Sequence, residues 1–313
     1  ARALGKTAEA ESYFWKSTWY PGFQSASYLY IAEMYWKQGK VKEAIEAIDE
    51  SIALSGKSTQ SKFVKAHFLS AQGRNADAVA LLDENIASDP VDFLSIIEKA
   101  RIRGDKASAR RAIAHMGIPL QEVIEATTFY NAIGAWKDAV DFLDFAMANG
   151  TPYSSTPMQK NAVEPFTASP LLNYMAGWYS SQAGDDAKAM DYYRKAAEMS
   201  PDYCFPSRVE ELDMLRDVVK KNPSDWKAYY YLGNLLYYYD RKDEAISAWQ
   251  SSAELNSSYG MVFRNLGHSA DKYLKDKALA ADYYAMAIKA DSSNPIFFQE
   301  LEDVEAALKV PSD

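Results

Sequence analysis

Between Trp226 and Tyr259 apolar residues recur at helical spacing in two runs, WKAYYYLGNLLYY and EAISAWQSSAEL. The polar turn Tyr239-Asp240-Arg241-Lys242 parts them, so the pattern predicts two amphipathic helices. Counted from Asp240, an alanine (Ala245) stands five residues on and a bulky apolar residue (Trp249) nine on. The same offsets follow Gly184 (Ala189, Tyr193), Gly134 (Ala139, Leu143) and Gly104 (Ala109, Ile113). They recur after Gly73 (Ala78, Leu82), Gly39 (Ala44, Ile48) and Gly5 (Ala10, Phe14). Glycine suits a tight interhelical turn, alanine lets two helices approach, and the bulky residue fills the groove one helical turn later. Seven repetitions in register predict a row of helical hairpins rather than one globular core.

This ladder resembles the tetratricopeptide repeat, a helix-turn-helix unit of about 34 residues. The resemblance implies an all-α chain, a right-handed α-α superhelix of TPR-like solenoid type, with about six to seven repeats plus single helices. Residues 1–150 read as N-terminal repeats that start mid-repeat, since Arg2–Trp19 matches only a second helix with Gly5 as its turn. Ser25–Ser58 and Thr59–Asp92 are full units, whereas Gly73, Gly104 and Gly134 are spaced more closely and predict shortened helices. Residues 151–169, TPYSSTPMQKNAVEPFTAS, lack periodicity and read as a proline-rich inserted loop. Residues 170–313 restore the repeats, with an extra single helix at 207–221 for which Ser207 and Glu210 suggest the N-cap. The unit Gly260–Asn294 carries one residue inserted before Ala280, and Pro295–Leu308 is a final single helix. The missing first helix at the N-terminus leads us to expect a segment of a longer protein.

Charge and composition narrow the partners. The chain has 34 basic and 43 acidic residues, a formal charge of -9, which argues against nucleic acid or an anionic membrane as partner. No apolar run approaches the length of a membrane span, so a soluble, cytoplasmic chain is expected. Cys204 is the sole cysteine, which excludes an internal disulfide. The 22 tyrosines and 7 tryptophans exceed what helix packing requires and point to a recognition face.

Three passages are similar to something more particular: STWYPGFQSASYLYIAEMYWKQG (Ser17–Gly39), PDYCFPSRVEELDMLRDVVKKNPSD (Pro201–Asp225) and YYLGNLLYYYDRKDEAISAWQSSAELN (Tyr230–Asn256), the last running into FRNLGHSA. Together they resemble the helical portion of large bacterial proteins whose N-terminal part is a mutarotase-like β-sandwich domain of unknown function. That resemblance implies a carbohydrate-related setting, with the sandwich domain as a partner from the same polypeptide. Any glycoside chemistry would belong to that absent domain.

First helices line the concave surface of such repeats, and counting inward-pointing positions selects candidates. These are Tyr174 and Trp178, then Tyr230, Asn234 and Tyr237, then Arg264 and His268, with Tyr203 and Arg208 as an edge. Aromatic rings beside amides and a guanidinium suit an extended peptide or a carbohydrate. The competing reading packs the same aromatics against neighbouring helices. A clamp for a terminal carboxylate is rejected, because Tyr230 and Glu300 stand where cations are needed. Cys204 has no base at matching spacing, the three histidines fall in different repeats, and no phosphate loop or nucleophile elbow occurs. No catalytic residue, cofactor or metal is assigned. The expected function is a protein-interaction scaffold, with the helical part of a carbohydrate-active or glycan-binding protein as the alternative.

Overall fold

The structure is a computed structural model that describes residues 7–116, 119–149, 169–202 and 204–309. Gly5, Tyr203 and residues 151–168 of the expected loop lie outside the described residues. The chain forms two compact units, Ala1–Thr167 and Ala168–Asp313. All regular structure among the described residues is helical.

The first unit holds α1 (Thr7–Ser17), α2 (Gln24–Lys37), α3 (Val41–Leu54), α4 (Thr59–Ala71) and α5 (Asn75–Ser88). It continues with α6 (Phe93–Arg103), α7 (Lys106–His115), α8 (Pro119–Ile133) and α9 (Trp136–Asn149). The second holds α10 (Pro170–Gln182), α11 (Asp186–Glu198), the lone α12 (Val209–Lys221), α13 (Trp226–Tyr238) and α14 (Lys242–Leu255). It ends with α15 (Gly260–Ser269), α16 (Lys277–Ala290) and α17 (Pro295–Leu308). Each unit is therefore a solenoid of paired helices. The closer glycine spacing has the expected result: α6 has 11 residues and α7 has 10, against 14 in α2 and α3.

Every described turn residue of the ladder is left-handed. Gly39, Gly73, Gly104, Gly134 and Gly184 have φ between 67° and 83°, and Asp240 has φ 61°. At such a residue the helix stops by a two-bond closure. The Gly39 amide donates to the Trp36 carbonyl (2.9 Å) and the Lys40 amide to Tyr35 (2.9 Å). The second bond recurs from Arg74 to Leu69, Asp185 to Ser180 and Arg241 to Leu236. A further left-handed residue is Lys275 at φ 59°, which the glycine pattern did not mark. Ala280 and Tyr284 stand at the usual offsets from it, both buried. The extra residue of this repeat is absorbed by a π-helical turn, Ala270–Leu274, closed by the Asp276 amide on the Ala270 carbonyl (3.0 Å).

The offset positions form the core. Ala44, Ala78, Ala139, Ala189 and Ala245 are fully buried, as are Ile48, Leu82, Leu143 and Tyr193. Volume is traded across four of the hairpins. A Cβ on Gly177 would lie 2.3 Å from the Tyr193 ring, and one on Gly233 2.4 Å from the Trp249 ring. In the α2–α3 and α4–α5 hairpins, whose bulky residues are Ile48 and Leu82, the residue sixteen positions earlier is alanine (Ala32, Ala66). In these four hairpins aromatic-for-aliphatic exchange on the second helix is matched by glycine-for-alanine on the first.

In the first unit a buried polar group joins three of the first helices. Glu98 of α6 is fully buried and accepts a forked pair from Arg101 (Nε and Nη2, both 2.8 Å). The Tyr130 hydroxyl of α8 donates to it at 2.7 Å, and His67 Nδ1 of α4 lies 3.6 Å away. Burial alone would raise the Glu98 pKa. The hydrogen bonds and charge of Arg101, with His67, overcome it and hold the carboxyl at about 2.

The start of α12 corrects the expected cap. Arg208, not Ser207, is the N-cap, and Glu211, not Glu210, turns back to accept the Ser207 and Arg208 amides at 2.6 and 2.8 Å. Glu211 is buried, so it is no ordinary surface charge.

Two outcomes test these locks. Gly233→Ala should destabilise by about 1–3 kcal/mol through overpacking, and adding Trp249→Leu should recover part of that loss. Denaturant titration of both single variants and the double variant measures the coupling, and simple additivity would contradict the volume exchange. Glu98 has a folded-state pKa below its unfolded value. Its contribution is therefore present above about pH 4.5 and fades as pH falls toward 2. Arg101→Met should cost about 3 kcal/mol or more at pH 7 by leaving a buried charge unpaired, read from the same titration.

Candidate functional site

The sequence-selected residues divide into a buried group and a half-buried strip. Every residue of α10 from Pro170 to Ser180 is buried, and the lone helix α12 packs against it. Tyr174 is 0 % exposed, and its hydroxyl donates to Asp225 Oδ2 at 2.7 Å. The other oxygen of Asp225 caps α13 by accepting the Lys227 and Ala228 amides (3.1 and 3.2 Å). Tyr174 thus ties α10 to the start of α13 and presents no surface to a ligand. Trp178, 8 % exposed, lies against Tyr179 with ring centroids 5.1 Å apart. Tyr230 is buried as well, edge-on to Tyr259 at 5.1 Å. For these three aromatics the packing reading describes their surroundings.

Asn234, Tyr237, Arg264 and His268 come together across α13 and α15, all half-buried. Asn234 Oδ1 accepts from Trp249 Nε1 (3.0 Å) and from Asn265 Nδ2 (2.8 Å), which fixes the side chain and joins the two helices. The Tyr237 ring packs at 5.3 Å from Trp249 and at 6.2 Å from the His268 imidazole. Burial lowers the His268 pKa and the Arg264 charge lowers it further, so the imidazole is neutral at pH 7. Arg264 Nε lies 3.0 and 2.9 Å from the two oxygens of Glu300 on α17. Lys272 pairs with Asp271 at 2.6 Å. Positive and negative charge therefore cancel locally, and the strip offers aromatic surface and neutral hydrogen-bonding groups. The spent guanidinium gives a structural reason why a free carboxylate finds no clamp here.

Arg208 stands apart at the α12 N-terminus, half-buried. Beside it, the Tyr239 hydroxyl donates to the Ser207 carbonyl at 3.1 Å, bringing the loop onto the end of α13. Phe205 (71 % exposed), Val209 (54 %) and Tyr238 (74 %) are open to solvent around that contact. Phe205 was missed because the short irregular segment before α12 has no periodicity to mark it, and Val209 because it only opens that helix. Glu300 was missed as the partner of Arg264 because the two are 36 residues apart.

Cys204 is buried, and burial pushes its thiol up to about 12. A thiol so rarely ionised makes a poor nucleophile. Among the described residues no group of histidine, cysteine or carboxylate side chains could hold a metal ion. No helix among them is long and apolar enough to cross a membrane.

Comparison with known families decides the class of these hairpins. Models described as tetratricopeptide repeat match residues 25–58, 172–203 and 212–260. At these three places the chain carries tetratricopeptide repeats. The first two matches coincide with the α2–α3 and α10–α11 hairpins, and the third takes in α12 together with the α13–α14 hairpin. Among solved structures, the chain is similar to YrrB, titled a TPR protein with an unusual peptide-binding site. That similarity is 17% identity over 82% of this chain and 97% of the other, with a TM-score of 0.30. It is also similar to TTC0263, a thermophilic TPR protein of Thermus thermophilus (14% identity, 80% and 100% covered, TM-score 0.30). MamA gives 14% identity, 73% and 95% covered, and a TM-score of 0.28. No curated protein sequence matches the chain.

Proposed function

We propose that this TPR chain is a protein-interaction scaffold that docks an extended segment of a protein partner on the concave face of its second unit. The presence of tetratricopeptide hairpins at three places carries the scaffold reading. The half-buried strip of Asn234, Tyr237, Arg264 and His268 supports the choice of face. Its charges are internally paired and its rings are held by neighbours, so it is preorganised for main-chain amides and apolar side chains rather than for a charged group. The exposed Tyr238 and Phe205 extend that surface toward Arg208. Rigid aromatics of this kind are common anchors of binding energy. The family matches concern protein repeats, which favours a protein partner over a carbohydrate.

The reading predicts a peptide-binding chain whose affinity sits on these rings. Peptides enriched from a displayed library on the full chain should lose about tenfold or more in affinity for Tyr237→Ala and Tyr238→Ala. Calorimetry on each variant, with its thermal midpoint recorded, measures this, and the exposed Tyr238 serves if Tyr237→Ala unfolds. Enriched peptides that bind both variants as tightly as the parent would overturn the face, and a library that yields no binder would overturn the scaffold reading.

A further inference from the structure

We propose that a cavity in the first unit receives a lysine or arginine side chain of a basic polypeptide segment. The cavity, about 280 Å³, opens between the N-terminal parts of α6 and α8 and reaches Thr59 at the start of α4. Its floor is apolar: Ile97, Met116 and Phe142 are buried, and Phe129 is half-buried. Its rim is acidic, carrying Asp89, Asp92, Glu122 and Glu125, and among the described residues no lysine, arginine or histidine lines it.

The occupant follows from these two properties together. A long aliphatic stem ending in a cation fits an apolar shaft with carboxylates at its mouth, because methylenes are buried while the charge stays at the rim. A metal ion does not fit, because no group of carboxylates among the described residues is close enough to ligate one. The sign of the rim excludes nucleic acid and anionic lipid. The formal charge of -9 on the chain adds attraction for a basic partner at long range.

The rim is also held in place. Asp92 Oδ1 accepts the Ser95 amide (3.0 Å) and Oδ2 the Ser95 hydroxyl (2.7 Å), as the N-cap of α6. Asp89 Oδ1 accepts the Val91 amide at 3.1 Å. The turn sets the positions of both carboxylates, so little ordering remains when a cation arrives. This site lies in a different unit from the strip of the proposed function and does not rest on it.

The test uses the full chain and short amide-capped peptides of alternating lysine and leucine, with the same sequence carrying acetyl-lysine as the neutral probe. Fluorescence anisotropy should show the lysine peptide binding about tenfold or more tightly than the acetylated one, more weakly as salt rises. The Asp89→Asn/Asp92→Asn variant keeps the acceptors of the Val91 and Ser95 amides and removes two charges, so it should fold and lose about tenfold in affinity. Should it fail to fold, Glu122→Gln/Glu125→Gln replaces it with the same expected loss. Removing two charges elsewhere, by Glu302→Gln/Glu305→Gln on α17, should change affinity less than about twofold. Equal weakening by the α17 pair would reduce the effect to general attraction and overturn the proposal. Equal binding of the acetylated peptide, or no binding of the lysine peptide, would overturn it too.

Discussion

The left-handed residue at the corner of each hairpin is the constraint from which the rest of this chain follows. It stops the first helix, turns the backbone through a two-bond closure, and sets the second helix at a fixed offset against the first. Only then can an alanine five residues on, and a bulky residue nine on, meet the same groove in every repeat. Glycine fills most of these corners because a side chain at positive φ costs about 1 kcal/mol. Asp240 and Lys275 bear that cost, and the hairpins they close are built no differently in their cores.

What the fold does with its surface depends on a departure from regular stacking. The lone helix α12 packs on α10, whose residues from Pro170 to Ser180 are all buried, so the first helix of the second unit is not a recognition face. The half-buried face lies further along, where α13, α15 and α17 are joined by side-chain hydrogen bonds and an Arg264–Glu300 pair. In the first unit the analogous helices are fastened by Glu98, Arg101 and Tyr130. The charge buried there is paired, and the neighbouring cavity carries an acidic rim.

Much of this architecture was legible in the sequence because repetition averages out local ambiguity. One glycine before an alanine means little, whereas the same offset after Gly39, Gly73, Gly104, Gly134, Gly184 and Asp240 selects one geometry. Lys275 escaped because its side chain gives no hint of positive φ, and the inserted residue of its repeat hid the register until the π turn revealed it. The α12 cap slipped by one residue because Glu210 and Glu211 are adjacent carboxylates, and only burial distinguishes them. The site was less legible. Counting positions on the first helices selects Tyr174 and Trp178, but whether either faces solvent depends on a helix that follows them by some thirty residues. The network around Glu98 joins residues 32 apart, a distance at which periodicity carries no information.

The central claim is that positive φ at the corners, rather than the identity of the residue, defines the hairpin. Chemical denaturation of Asp240→Gly, Lys275→Gly and Gly184→Ala tests it most directly. The account predicts that the first two gain up to about 1 kcal/mol in stability and that the third loses about 1 kcal/mol or more. Loss of stability on introducing glycine at Asp240 and Lys275, or indifference to alanine at Gly184, would contradict it.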